Sequence, residues 1–119
     1  MGRYKKLCET KENHQDAALI TRYYKVNFQQ AFDVVEEILR RDPMAKIISK
    51  SPEHGEISAD IGNGSSFLVC TVITIKPYTT AVDFVLSTEK LSILGTYPLL
   101  KRKVVSLYES LGERLPLLK

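Results

Sequence analysis

The middle of the chain carries four runs of strand-forming residues, separated by breaks too short for anything but tight turns. Ile47-Ile48-Ser49-Lys50 ends at Pro52-Glu53-His54-Gly55, and Glu56 through Ile61 then alternates polar and apolar residues. Gly62-Asn63-Gly64-Ser65 leads into Phe67 through Ile75, which is apolar at nearly every position. Lys76-Pro77-Tyr78-Thr79, with Pro where a type I turn accepts it, leads into Ala81 through Thr88. Parallel neighbours need a crossover of roughly a dozen residues or more, so breaks of about four or five residues favour antiparallel hairpins. A further strand precedes them, because Ala18 through Val26 is rich in β-branched and aromatic residues.

Two helices frame the hairpins. Asn27 with Gln30 three positions on is a capping-box pair, and Phe28, Ala31, Phe32, Val35, Ile38 and Leu39 recur at helical spacing. Arg40 and Arg41 suit the last turn, and Pro43 forbids continuation. Thr96 before Tyr97-Pro98 opens a second helix, whose stripe is Leu100, Val104, Leu107, Tyr108, Leu111 and Leu115. The expected fold is therefore α+β with element order β-α-β-β-β-β-α, an antiparallel sheet with both helices packed on one face. Residues 90–95 read as a loop or as a short extra strand. Residues 1–16 are polar and aperiodic and read as a mobile leader, with residues 17–119 forming one domain.

Strand alternation sorts the hairpin residues into two faces. If the loop at Pro77 holds two or four residues, Phe67, Val69, Thr71, Ile73 and Ile75 share a face with Val82, Phe84 and Leu86. Joined through the glycine turn, Ile57, Ala59 and Ile61 belong to the same set, which is the larger and drier one and is expected to be the helix-covered core. The other face then carries Leu68, Cys70 and Val72 with Ala81, Asp83 and Val85, flanked by Glu56, Ser58 and Asp60. The candidate binding patch is Leu68, Cys70, Val72, Asp83 and Val85. It is read either as a contact site or as a tolerated surface of strand formers.

The residues exclude several chemistries. Lys plus Arg is 17 against 14 Asp plus Glu, a net charge of +3 with the signs interspersed, so no basic stripe for nucleic acid stands out. His14 and His54 have no Cys or His at metal-ligand spacing, and no metal or cofactor is expected. Gly62-Asn63-Gly64-Ser65 precedes a strand and not a helix, unlike a phosphate loop. Cys70 lies inside an apolar strand with no base beside it, and two cysteines in 119 residues read as free thiols in a reducing compartment. Glu56, Asp60 and Asp83 share the outer face, but an open sheet does nothing to raise a carboxyl pKa, so a solvated acidic face is the plainer reading. The run Lys101-Arg102-Lys103 reads as a helix surface exposed to water. No stretch approaches the ~20 apolar residues of a membrane span, and a cytoplasmic location is expected by elimination.

Glu53-His54-Gly55-Glu56-Ile57, Thr71-Val72-Ile73, Lys76-Pro77-Tyr78, Thr80-Ala81-Val82-Asp83-Phe84 and Ser87-Thr88-Glu89 resemble a family of small cytosolic proteins, chiefly of Gram-positive bacteria, grouped under a domain of unknown function. The resemblance covers about Leu19 to Leu115; it implies a bacterial source and no activity. The element order is also similar to the fold of the TATA-box-binding protein and its structural relatives, where helices cover one face of a curved sheet and the other face or an edge binds. The resulting expectation is a non-enzymatic interaction module that forms a homodimer or binds a protein partner through the free sheet face or the first-strand edge. The alternative is a binder of a small apolar ligand between sheet and helices.

Overall fold

The computed structural model describes residues 6–89 and 96–118. In chain order they form β1 (Lys6–Glu9), a 3-10 turn (Ala17–Leu19), β2 (Arg22–Tyr24), α1 (Phe28–Arg41), β3 (Ala45–Ser51), β4 (Glu56–Ile61), β5 (Ser66–Lys76), β6 (Thr79–Thr88) and α2 (Thr96–Gly112). All strand pairs are antiparallel, in the order β1-β6-β5-β4-β3, and β2 also pairs with β6. Both helices lie on one face, so the α+β order read from the sequence is recovered, with one added edge strand ahead of it. The choice between loop and strand for residues 90–95 lies outside the described residues.

The helices form for the reasons their sequences give. The Asn27 side chain accepts from Gln30 N, and Gln30 returns a bond to the Asn27 backbone. Ala31, Phe32, Val35 and Leu39 of α1 are buried, as are Leu100, Val104, Leu107, Tyr108 and Leu111 of α2. Tyr108 stands edge-on to Phe84, with ring centroids 5.0 Å apart, and its hydroxyl donates to the Val82 carbonyl at 2.7 Å. Gly55 closes the β3–β4 turn at φ +66°, and a Cβ there would lie 2.2 Å from the Val72 carbonyl oxygen, so the close approach of this turn to β5 requires glycine.

The amino-terminal half departs from expectation. Residues 6–9, placed in a leader by their polarity, form β1 against Val85–Thr88 of β6, with Cys8 buried on the core side. Residues 18–26 are not one strand. The Asp16 side chain accepts from Ala18 N and winds Ala17–Leu19 into a 3-10 turn, leaving only Arg22–Tyr24 extended. β1 and β2 thus share a single flank of β6, one after the other, with a gap opposite Asp83 and Phe84. Thr10 fills the gap: its N donates to Phe84 O, and its Oγ1 accepts from Phe84 N. The Thr10 and Thr21 hydroxyls both donate to Asp83 Oδ1 at 2.6 Å, tying the two short strands to one carboxylate.

The facing of β5 is the main correction. Leu68, Cys70 and Val72 point into the core with Ile57, Ala59, Ile61, Val82, Phe84 and Leu86, whereas Phe67 and Ile73 point out. The four-residue loop Gly62–Ser65 pairs Ile61 with Ser66, which sets odd positions of β4 opposite even positions of β5. At the other end Lys76 pairs with Thr79, but the register shifts between Thr74 and Lys76, so that Thr74 meets Thr80 and Cys70 meets Phe84. One extra residue at Ile75 reverses the parity that a plain two-residue turn would impose.

Candidate interaction surface

With both helices on one side, no described helix or strand lies over the other side of the sheet. Its side chains fall into cross-strand rows set by the register. One row runs Leu7, Ser87, Phe67, Asp60, Lys46; the next runs Glu9, Val85, Val69, Ser58, Ser49. Then come Asp83, Thr71, Glu56, Ser51, and last Tyr23, Ala81, Ile73. Apolar side chains therefore line β5 at Phe67, Val69 and Ile73, broken by Thr71, with Val85 of β6 beside Val69. Relative exposures of 43% for Phe67, 50% for Ile73 and 59% for Ile75 show that much of this line meets water.

The five residues singled out from the sequence do not share this face. Leu68, Cys70 and Val72 lie beneath the helices, and only Asp83 and Val85 are on the uncovered side. Phe67, Val69 and Ile73, assigned to the core by the wrong parity, belong to the surface instead. The length of the Gly62–Ser65 loop alone, with Ile61 facing Ser66, carried the signal that could have placed them.

Charge is divided between the two sides of the molecule. The rows of the uncovered face hold the carboxylates Glu9, Glu56, Asp60 and Asp83 and one ammonium group, Lys46. Glu56 and Asp83 stand in one row with Thr71 between them, two strand spacings or roughly 10 Å apart. The helical side carries paired cations. Lys101 meets Asp16 at 2.5 Å, and Lys103 pairs with Asp42, so two members of the basic run on α2 have carboxylate partners. Arg40 and Lys50 meet Glu36, and Arg41 and Arg114 meet Glu37. Bonds from Arg40 and Arg114 hold the Glu36 and Glu37 carboxyls below the usual carboxylate range.

The remaining sequence candidates have local structural work. His54 Nδ1 bonds the Ser51 hydroxyl in the β3–β4 turn, and His14 Nδ1 accepts from Asp16 N. Cys8 and Cys70 are free and buried, and burial pushes both thiols up, Cys70 most. Among the described residues no group of three His, Cys, Asp or Glu side chains could hold a metal ion, and no helix is long and apolar enough to cross a membrane.

The first-strand edge is partly occupied. Lys25 N donates to Pro116 O at 2.8 Å and Leu118 N to Tyr23 O at 2.7 Å, so residues 116–118 lie along β2. Beside them opens a cleft of about 530 Å³, lined by Ile20, Arg22, Tyr23 and Leu117 among others. At the opposite edge, β3 carries a bulge at Ile48 between Lys46 and Lys50, devices that discourage strand addition. Among the described residues, the crevice between the sheet and the helices, lined by Val35, Ile38, Leu39, Phe84, Leu107 and Leu111, leaves no space for a water molecule.

Compared with protein-family models, with curated proteins and with solved structures, the chain gives no match. The two resemblances drawn from its motifs and element order gain no support from these comparisons.

Proposed function

We propose that this chain is a non-enzymatic interaction module that binds another protein through the uncovered face of its sheet. The observation that carries the reading is the line of Phe67, Val69 and Ile73 on β5, interrupted by Thr71, with Val85 beside Val69, on a face that no described helix shields. An apolar patch of several side chains with a polar rim is the usual anatomy of a protein contact, and single scattered hydrophobic residues are not. The face is preferred to the first-strand edge because residues 116–118 already lie along β2. A role as an apolar-ligand carrier is less favoured, because the crevice between sheet and helices lined by Val35, Phe84 and Leu107 has no room for a ligand. Duplex nucleic acid is disfavoured as the partner, because the carboxylates on the face would repel phosphate.

A photoactivatable benzophenone side chain placed at position 73 tests the reading in the cells the chain comes from, with position 102 on α2 as the control. Adducts formed from position 73 and absent from 102 are expected. Equal adducts at both positions, or none at 73, would overturn it.

A further inference from the structure

The apolar band is not edged at random. Along β5 itself, where Phe67, Val69 and Ile73 point out with Thr71 among them, Glu56 and Asp60 on β4 flank one side and Asp83 on β6 flanks the other, with Glu9 one strand further out on β1. Only Lys46, at the β3 margin, carries the opposite sign on these rows. This acidity runs against the chain as a whole, whose net charge is +3. The cations that make the sum positive concentrate on the helical side, where several already have carboxylate partners. Resting on the interaction reading above, we infer that the partner is a basic amphipathic helix, with an apolar stripe that lies along β5 and Lys or Arg on both flanks.

Charge decides against a second copy of the chain. Two sheets stacked face to face about a two-fold axis have two simple arrangements. With the axis along β5, β6 of one copy lies over β4 of the other, and Asp83 meets Glu56, which shares its row. With the axis across the strands at the Val69 row, each strand lies reversed over its own copy, so that Asp60 meets Glu56 and Glu9 meets its equivalent. Both place like charges in a drying interface, where their repulsion is strongest. A cationic flank meets the same groups with attraction.

Length points to a helix as the occupant. From the Phe67 row to the Ile73 row is six residues of β5, or roughly 20 Å of strand. That is the length of about 13 helical residues. Helices are also the elements that ordinarily cover a sheet face, and α1 and α2 already cover the other one.

The test uses two synthetic peptides of about 18 residues, long enough to hold a helix on contact. One has Leu at the i, i+3, i+4, i+7 positions and Lys on both flanks; the other keeps the Leu stripe and carries Glu on the flanks. Fluorescence anisotropy with the full chain should show saturable, salt-sensitive binding of the Lys peptide and none of the Glu peptide. Ile73→Lys, and separately Glu56→Lys with Asp60→Lys, should each weaken the Lys peptide by about tenfold or more. All three substitutions lie on exposed or half-exposed positions, and urea melts of the variants verify that they fold. Equal binding of both peptides, or binding indifferent to Ile73→Lys, overturns the basic-helix inference. So does a dimer of the unliganded chain that Ile73→Lys dissociates, although that result upholds the face as an interaction surface. Adducts from position 73 without peptide binding likewise defeat only the basic helix, whereas loss of both defeats the two readings together.

Discussion

Asp83 is the residue whose removal separates the observed structure most sharply from a simple picture of a wet sheet face. A solvated carboxylate on such a face would be worth less than about 0.5–1 kcal/mol. In the fold, however, Asp83 Oδ1 receives two hydroxyl bonds of 2.6 Å, from Thr10 at the end of β1 and Thr21 at the start of β2. Both threonines are buried, at 5% and 4% exposure. Hydrogen bonds to a charged group contribute about 1.5–3 kcal/mol each, and a buried donor left without a partner costs about 1–3 kcal/mol. Asp83 itself is half-buried, so water recovers part of the loss. Thr10 Oγ1 still accepts from Phe84 N, which keeps that end of the junction bonded. The two donors together give an expected cost of about 2–4 kcal/mol for Asp83→Ala.

Urea unfolding with linear extrapolation measures this directly, and the midpoint should fall while the m-value stays constant. In a thermal melt the same loss lowers Tm by roughly 8–16 °C for a domain of this size. Asp83→Asn keeps an acceptor in place and gives up only the charge, so its cost should be about half as large. A cycle pairing Asp83→Ala with Thr21→Val should show a coupling above about 0.5 kcal/mol, because Val removes the orphaned hydroxyl. An Asp83→Ala variant within about 0.5 kcal/mol of wild type would show that the carboxylate does not hold β1 and β2 to β6.

Phe84→Ala should cost about 3–5 kcal/mol, since it empties a buried site and removes the edge-on partner of Tyr108; urea melts read the value, and a loss below about 1 kcal/mol would place Phe84 outside the core. Cys8 and Cys70 should both react slowly with a thiol reagent at pH 8 in the native state, because burial raises both thiols and keeps them protonated, and both should speed up across the urea transition. Rapid native labelling of Cys8 would mean that β1 does not stay paired. Tyr24 is buried, its hydroxyl finds no hydrogen-bond partner among the described residues, and burial pushes its pKa up to about 12. Tyr24→Phe should therefore be neutral or stabilise by up to about 1 kcal/mol in the same melts, and a clear loss would reveal a partner for that hydroxyl.

Legibility in the sequence followed the strength of each local signal. The α1 cap was plain in Asn27 and Gln30, and both helical stripes named the residues that are buried. The strict alternation of β4 put Ile57, Ala59 and Ile61 on the right face, and Glu56 and Asp60 opposite. β1 was hidden because Lys6-Leu7-Cys8-Glu9 is short and half charged, and it is held by β6 and by the packing around Cys8 more than by its own propensity. β5 was misplaced because a run apolar at nearly every position has no alternation of its own. Its facing depends on its two turns. The turn at Pro77 conceals its bulge, since its left-handed position is Tyr78 at φ +58°, where glycine or asparagine would have given warning. The candidate patch failed with it, and only Asp83 and Val85, on β6, stayed on the predicted side.

The bulge also fixes which of two apolar sets on β5 faces water, and size alone would have chosen the other way. Leu68, Cys70 and Val72 are together smaller than Phe67, Val69 and Ile73, and buried apolar area is worth about 25 cal/mol per Å². The interior has little room for the larger set. Phe32 from α1, Phe84 from β6 and Tyr108 from α2 already fill the layer between sheet and helices, and overpacking such a layer costs about 1–3 kcal/mol. The smaller side chains of β5 complete that core, and the larger ones are left on the open face. A one-residue slip would exchange the two sets, but it would also break the pairings of Ile61 with Ser66 and of Cys70 with Phe84 that both turns enforce. The aromatic residues that fill the core thereby favour leaving the larger apolar set of β5 on the open face.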